Sequence, residues 1–199
     1  VNKTTPVAGD VKYVDRNGDG VVDDNDRDII GNPNPDFTYG FQTKVSWKSL
    51  SLSASFNGVQ GRDILNVGNR YNNTPGTKSN NVTRKAFQNM WTDENPSNLY
   101  PKSTFVVQNM VMDRYVEDGS YLRCSDITLS YVLPAKWTNK IGIKNTSVYA
   151  SVKNAFVITD YSGYDPEVNS FAFDGLRPGV DMNSYPTPRS FVFGLNLTF

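Results

Sequence analysis

Residues 190–199 read SFVFGLNLTF, and the alternation within them decides the fold. Phe191, Phe193, Leu195, Leu197 and Phe199 fall on one side of a period of two, with Ser190, Val192, Gly194, Asn196 and Thr198 on the other. That period belongs to a β-strand with one apolar face. Chain ends are usually polar and frayed, so a strand closing on an aromatic asks for surroundings that cover it. Four more stretches carry the same signature. FTYGFQTKVSW (37–47) sets Phe37, Tyr39, Phe41, Val45 and Trp47 on one face, with Thr43 the weak member. SLSLSASF (49–56) alternates Leu50, Leu52, Ala54 and Phe56 with four serines, and only Lys48-Ser49 separates it from the stretch before, which predicts a hairpin. YLRCSDITLSYVL (121–133) opposes Ile127, Leu129, Tyr131 and Leu133 to Asp126, Thr128 and Ser130; Pro134 ends it. SVYASVKNAFVI (147–158) opposes Val148, Ala150, Val152 and Phe156 to Tyr149, Ser151 and Lys153. The predicted strands are approximately 37–47, 49–57, 121–133, 146–158 and 190–199.

The connections between these strands are lopsided. Those at 48–49 and 134–145 are short; those at 57–119 and 159–188 are long, as is the lead-in 1–36. In an up-and-down sheet the two classes lie at opposite ends, which is the arrangement of an outer-membrane β-barrel. Phe37 and Trp47 lie about 33 Å apart along a strand rising roughly 3.3 Å per residue. Tilted by about 40°, that distance projects to roughly 25 Å, the height of a barrel's apolar band. A soluble β-sandwich alternates too, but its outer face carries more charge than four successive serines.

Composition narrows the classes. The 199 residues balance 20 basic against 20 acidic side chains, which is unlike a nucleic-acid binder. Histidine is absent and Cys124 is the single cysteine, so the commonest general base and any internal disulfide are excluded. No run approaches the length of a transmembrane helix, a test that strands escape. The chain begins at Val1 without a signal peptide, so either its start has been processed away or it is part of a longer chain. Within 57–119, Val82, Ala86, Phe87, Met90 and Trp91 fall at helical spacing, with Asn80 or Asn81 as the expected N-cap.

One stretch has the spacing of a cation site. DRNGDGVVDDND (15–26) matches an EF-hand loop at Asp15, Asn17, Asp19, Val21, Asp23 and Asp26, with Gly20 at the sharp turn. Alternate oxygens suit a hard cation, so Ca2+ is expected as a structural clip. Val21 would offer its carbonyl, and Asp23 a bound water. Position 12 is Asp26 rather than Glu, and the flanking DVKYV (10–14) reads as strand rather than helix. An acidic, solvated Asn-Gly/Asp-Gly turn is the plainer alternative. Cys124 falls on the polar side of its predicted strand and reads as an inert thiol. Asp113, Glu117, Asp118 and Asp126 read as solvated charges. Trp91, Tyr100, Trp137, Tyr161 and Tyr164 are loop or connector aromatics, available either to stack on sugars or to pack within the loops. No catalytic constellation is present, so an enzyme is not expected.

Long blocks of the chain resemble one family. GDVKYVDRNGDGVVDDNDRDIIGNPNPDFTYGF (9–41), YSGYDPEVN (161–169) and SYPTPRSFVFGLNLTF (184–199) look like the C-terminal end of SusC/RagA-family TonB-dependent outer-membrane transporters of Bacteroidota. DGSYLRCSDITLSYVLP (118–134) and KIGIKNTSVYASVKNAF (140–156) are similar to that family's late strands. The resemblance implies an all-β fold: the last five strands of a large plugged barrel of about 22 strands. Residues 1–36 would form an extracellular loop carrying the calcium-like motif, and 37–199 the C-terminal strands and their long loops. Phe199 would be the terminal aromatic of an assembly signal, with the apolar face against outer-membrane lipid. It further implies import of an oligosaccharide or peptide, TonB engaged through the missing N-terminal part, and a SusD-like lipoprotein over the loops. The rivals are a secreted calcium-binding β-sandwich and an adhesion or glycan-binding module, since the loop also resembles half of a dockerin.

Overall fold

The computed structural model describes residues 7–74, 81–103, 111–138, 143, 145–167, 170–171 and 174–198. Its frame is a five-stranded antiparallel sheet of β1 (Phe37–Trp47), β2 (Leu50–Gln60), β5 (Tyr121–Val132), β6 (Asn145–Thr159) and β8 (Ser190–Thr198), in that order. The terminal Phe199 lies outside the described residues. A smaller sheet at the long-loop end consists of β3 (Asp63–Asn66), β4 (Val116–Asp118) and β7 (Val180–Asp181), ordered β4-β3-β7. Short helices α1 (Val67–Asn73), α2 (Arg84–Asn89) and α3 (Ala135–Thr138) complete the elements.

The register explains why the five long strands associate. Trp47, Leu50, Tyr131, Val148 and Leu195 stand in one lateral row; Val45, Leu52, Leu129, Ala150 and Phe193 in the next; Thr43, Ala54, Ile127, Val152 and Phe191 above that. On the other face Ser46, Ser51, Ser130, Tyr149 and Gly194 make one row, and Lys44, Ser53, Thr128, Ser151 and Val192 another. A one-residue slip would mix the faces, so the pattern fixes the register. Tyr149 lies over Gly194, and Tyr39 over Gly58, where an added Cβ would strike the ring; an aromatic thus covers the backbone that each glycine leaves bare.

A pair of bulges interrupts the ladder between the lower and upper halves. Ser125 is an extra residue in β5 between the pairs Ser55↔Asp126 and Phe56↔Cys124. In β6 the corresponding step passes through Asn154, whose φ is +51°. The Ser125 bulge reverses the phase of upper β5. Cys124 therefore belongs to the apolar row with Phe41, Phe56 and Phe156, not to the polar face expected from alternation, and it is fully buried. Phe41 stacks on Phe56 at 4.5 Å between ring centroids, and Phe156 is 6.4 Å from Phe56. Arg123 turns to the opposite face, toward the loops.

The long loops differ from their expectation in detail. The helix in the 57–119 segment is Arg84–Asn89, and its N-cap is Thr83, whose Oγ1 accepts from the Ala86 amide at 3.2 Å; Asn81 lies ahead of it and Asn80 outside the described residues. Val82 is excluded because the cap falls after it. Residues 11–14 join no strand, and Asp10 lies in a bend. β3, β4 and β7 carry no alternation long enough to announce them; they form because Ile64, completely buried, seats under Gly119 at the centre of the loops.

Candidate functional site

A network of buried and part-buried hydrogen bonds and ion pairs gathers where the long loops meet the upper strands. β5 delivers Arg123 into the loop 160–189, where its Nη2 donates to Asp165 Oδ1 at 2.5 Å; both side chains are buried. Its Nε lies 2.9 Å from Glu167 Oε2 but makes no hydrogen bond, so that contact is an ion pair alone. Asp165 also accepts the amides of Glu167 at 2.9 Å and Thr187 at 3.1 Å. Burial works against its charge, yet these two amides and Arg123 prevail and hold its carboxyl below the usual carboxylate range. Arg62, just past β2, donates to the Pro166 carbonyl at 2.9 Å. Residues 161–167 thus act as a latch: the Tyr161 hydroxyl donates to Asp181 at 2.7 Å, and burial above all, followed by Asp181, pushes that phenol upward.

Glu117 is the second centre. Its Oε1 accepts from Asn66, Asn69 and the Ser162 hydroxyl at 3.1, 2.9 and 2.9 Å, and its Oε2 from the Ser162 amide at 2.9 Å. One carboxylate thereby joins β3, α1, β4 and the last long loop, which corrects its reading as a solvated charge. Asp126 is corrected likewise. On the serine face it accepts from Thr128 and Ser151, each at 2.8 Å, and pairs with Lys153 at 2.6 Å. The lead-in is laced to the same rim: Asn32 and Asp63 exchange two hydrogen bonds of 2.8 Å, and Lys102 pairs with Asp10 at 3.0 Å. Of the aromatics, Tyr161 packs inside the loops, while Tyr164 and Tyr185 stand out in solvent. An open groove of about 1070 Å³ runs between lead-in residues 9–30 and segments 97–101 and 111–114, with Asp23, Asp26 and Arg114 on its walls.

The cation-like loop closes on itself. Asp15 accepts the amides of Gly18 at 2.7 Å and Gly20 at 2.8 Å, both glycines having positive φ. Asn17 takes the Asp19 amide at 2.9 Å, and Asp19 that of Val21 at 2.8 Å. Asp26 reaches back to the Arg16 amide at 2.8 Å and forms a reciprocal box with Asp23 around one short helical turn. The amides of Asp23 and Arg16 keep the Asp26 carboxyl below its ordinary value. By donor type the set fits a hard cation, since an oxygen accepting one amide keeps a lone pair. By placement it is spread around the loop: among the described residues no three acidic, Cys or His side chains converge as a metal-holding group.

Arg123 and Asp165 escaped sequence reasoning, yet for Arg123 a signal was there. In DGSYLRCSDITLSYVL the apolar phase of Leu122 and Cys124 is offset from that of Ile127, Leu129 and Tyr131. Two phases in one strand mean a bulge, and a bulge re-aims a side chain.

No family model matches the chain. It is 35% identical over 201 residues to a TonB-dependent receptor of Formosa agariphila, a match covering 97% of this chain and 20% of that protein. It is 34% identical over 194 residues to the TonB-dependent receptor SusC of Bacteroides thetaiotaomicron, covering 94% and 17%. The chain therefore spans about a fifth of the length of the curated relatives it matches. Among solved structures, the RagAB peptide importer in its open-open state superposes with a TM-score of 0.70 at 30% identity, and the closed-closed state with 0.73 at 28%. Each covers 86% of this chain and 18% of the other. These relatives are receptors, not enzymes. The chain belongs to the SusC/RagA family of TonB-dependent receptors, and its five-stranded sheet is a segment of that family's large antiparallel β-barrel.

Proposed function

We propose that this chain supplies a wall sector and part of the extracellular rim of an outer-membrane importer of oligosaccharides or peptides. The observation that carries the reading is the lateral register: apolar side chains, Thr43 excepted, stand beside apolar ones across all five strands, while the reverse face is mostly small and polar, with Ser and Thr predominant. A lipid-facing exterior around a watery lumen needs that arrangement. A secreted β-sandwich would need a second sheet over the apolar rows, and Trp47 and Phe193 stay 69% and 78% exposed. A RagAB relative is named for peptide import, which supports peptides beside glycans as cargo. TonB would act through a part of the receptor outside this chain. A SusD-like lipoprotein would rest on the loops that Arg123 and Glu117 tie down.

Within that rim the 15–26 loop is a Ca2+ clip, its oxygens from Asp15, Asn17, Asp19, Asp23 and Asp26 and the Val21 carbonyl. Loading would draw the spread carboxylates together. Isothermal titration of the detergent-solubilised receptor with Ca2+ checks this: one site lost in Asp15→Ala supports it, and identical heats for both proteins sink it.

The import reading is tested by fractionating source cells and blotting for the chain. A heat-shiftable outer-membrane band about five times the chain's 22.2 kDa is expected from the one-fifth coverage. A soluble 22.2 kDa band would transfer the case to the secreted module.

A further inference from the structure

Acidic side chains are sorted along the strand axis. The sequence holds 20 of them, but segments 37–60, 121–159 and 190–199 contain only Asp126, which Lys153 already matches at 2.6 Å. The short-turn end therefore has no acidic side chain, yet it has lysines. Lys48 occupies the β1–β2 turn and Lys136 lies in α3; Lys140 and Lys144 follow in the same connector, outside the described residues. The two parts of this end are joined, since the Val132 amide donates to the Ser49 carbonyl at 2.8 Å.

Two features mark the surface as more than a basic turn. First, Lys48 has φ of +53°, in a two-residue hairpin turn where Gly, Asn or Asp is the usual choice. Its ammonium sits 4.7 Å from the centroid of the Trp47 ring. Strain kept at one position points to a use for that side chain. Second, Trp47 and Tyr131 share the last apolar row, and Trp137 stands 65% exposed just beyond it. Amphipathic aromatics belong at the level where hydrocarbon gives way to headgroups. Lysines next to them extend their stems along apolar surface and place their charge in the headgroup layer.

We infer that the short-turn end of the sheet binds anionic phospholipid headgroups, through Lys48 and Lys136 flanked by Trp47 and Trp137. This rests on the membrane reading above. Continuity decides for lipid over an acidic protein: the patch begins where the apolar rows stop, so the same bilayer that covers Leu129 and Phe193 reaches it.

The test uses the full-length receptor in nanodiscs of mixed phosphatidylglycerol and phosphatidylethanolamine, with retained lipids counted by native mass spectrometry. The comparison is the double variant Lys48→Gly, Lys136→Gln; glycine relaxes the strained turn, so folding is protected. Wild type is expected to retain phosphatidylglycerol preferentially, and the variant to lose that preference by roughly five-fold per lysine. Equal retention of the two lipids by wild type, or an unchanged preference in the variant, overturns the inference. So does salt-sensitive co-elution of an acidic soluble protein with wild type alone, in the absence of a lipid preference. A receptor that does not enter nanodiscs overturns the membrane reading beneath it, a distinct outcome.

Discussion

Arg123 has little freedom to be anything else. Removing it leaves Asp165 charged, buried and short of its guanidinium partner, at a cost of about 3–5 kcal/mol. Arg123→Ala should therefore free the loop 160–189, seen as faster hydrogen exchange there while the strands keep their protection. The pH dependence follows from the lowered carboxyl of Asp165. A depressed carboxylate contributes stability that is complete above its unfolded value near 4 and is lost as pH falls through the folded value. Loop protection should hold at neutral pH and fail only in strong acid, below about pH 4. Tyr161 runs the other way: its raised phenol contributes below about pH 10 and loses that contribution only as pH rises through the folded value. Tyr161→Phe strips Asp181 of a donor and should cost about 1–3 kcal/mol, measurable as a lower denaturant midpoint for loop release.

At the scale of elements, the glycines under aromatic lids are the exposed weakness of the sheet. Gly194→Val sets a branched side chain where the Tyr149 ring lies. The ring must swing away from the sheet, at about 1–3 kcal/mol, and the heat-resistant fraction of the receptor should fall accordingly. Here the limits of reading a sequence show plainly. The long strands announce themselves, because a half-buried strand has no choice but to alternate: FTYGFQTKVSW is β1 from its first residue to its last. The bulges leave a fainter mark, the phase offset between Cys124 and Ile127, whose meaning is plain once Cys124 is found between Phe56 and Phe156. The rim is harder still. β3, β4 and β7 are two to four residues long, and each exists only because segments far apart in sequence pair with it. Glu117 looks like any loop carboxylate until Asn66, Asn69 and Ser162 arrive from elsewhere. Long-range partners leave no local mark.

Taken as a whole, the molecule separates its two faces by consequence as well as by composition. Leu129→Arg puts a charge on the apolar rows, one row in from the short-turn end, and should cost about 1–2 kcal/mol, between the midplane and interface values, reducing the assembled receptor recovered from outer membranes. Ser130→Glu, one residue on but facing the lumen, should leave that yield unchanged and alter only the electrostatics of passage. Equal effects of the two would mean that the faces are not differently solvated. The rim is a different material from the wall beneath it: side chains from the lead-in and the two long loops hold each other by carboxylates and amides, so a lid resting on it would meet a firm seat.

Cys124 turns this architecture into an instrument. The only thiol of the chain is sealed between Phe56 and Phe156, in the central strand of the five. No reagent can reach it while β2, β5 and β6 stay zipped. A maleimide in the bath therefore acts as a stopwatch: each labelled molecule records one occasion on which the wall of the barrel came apart.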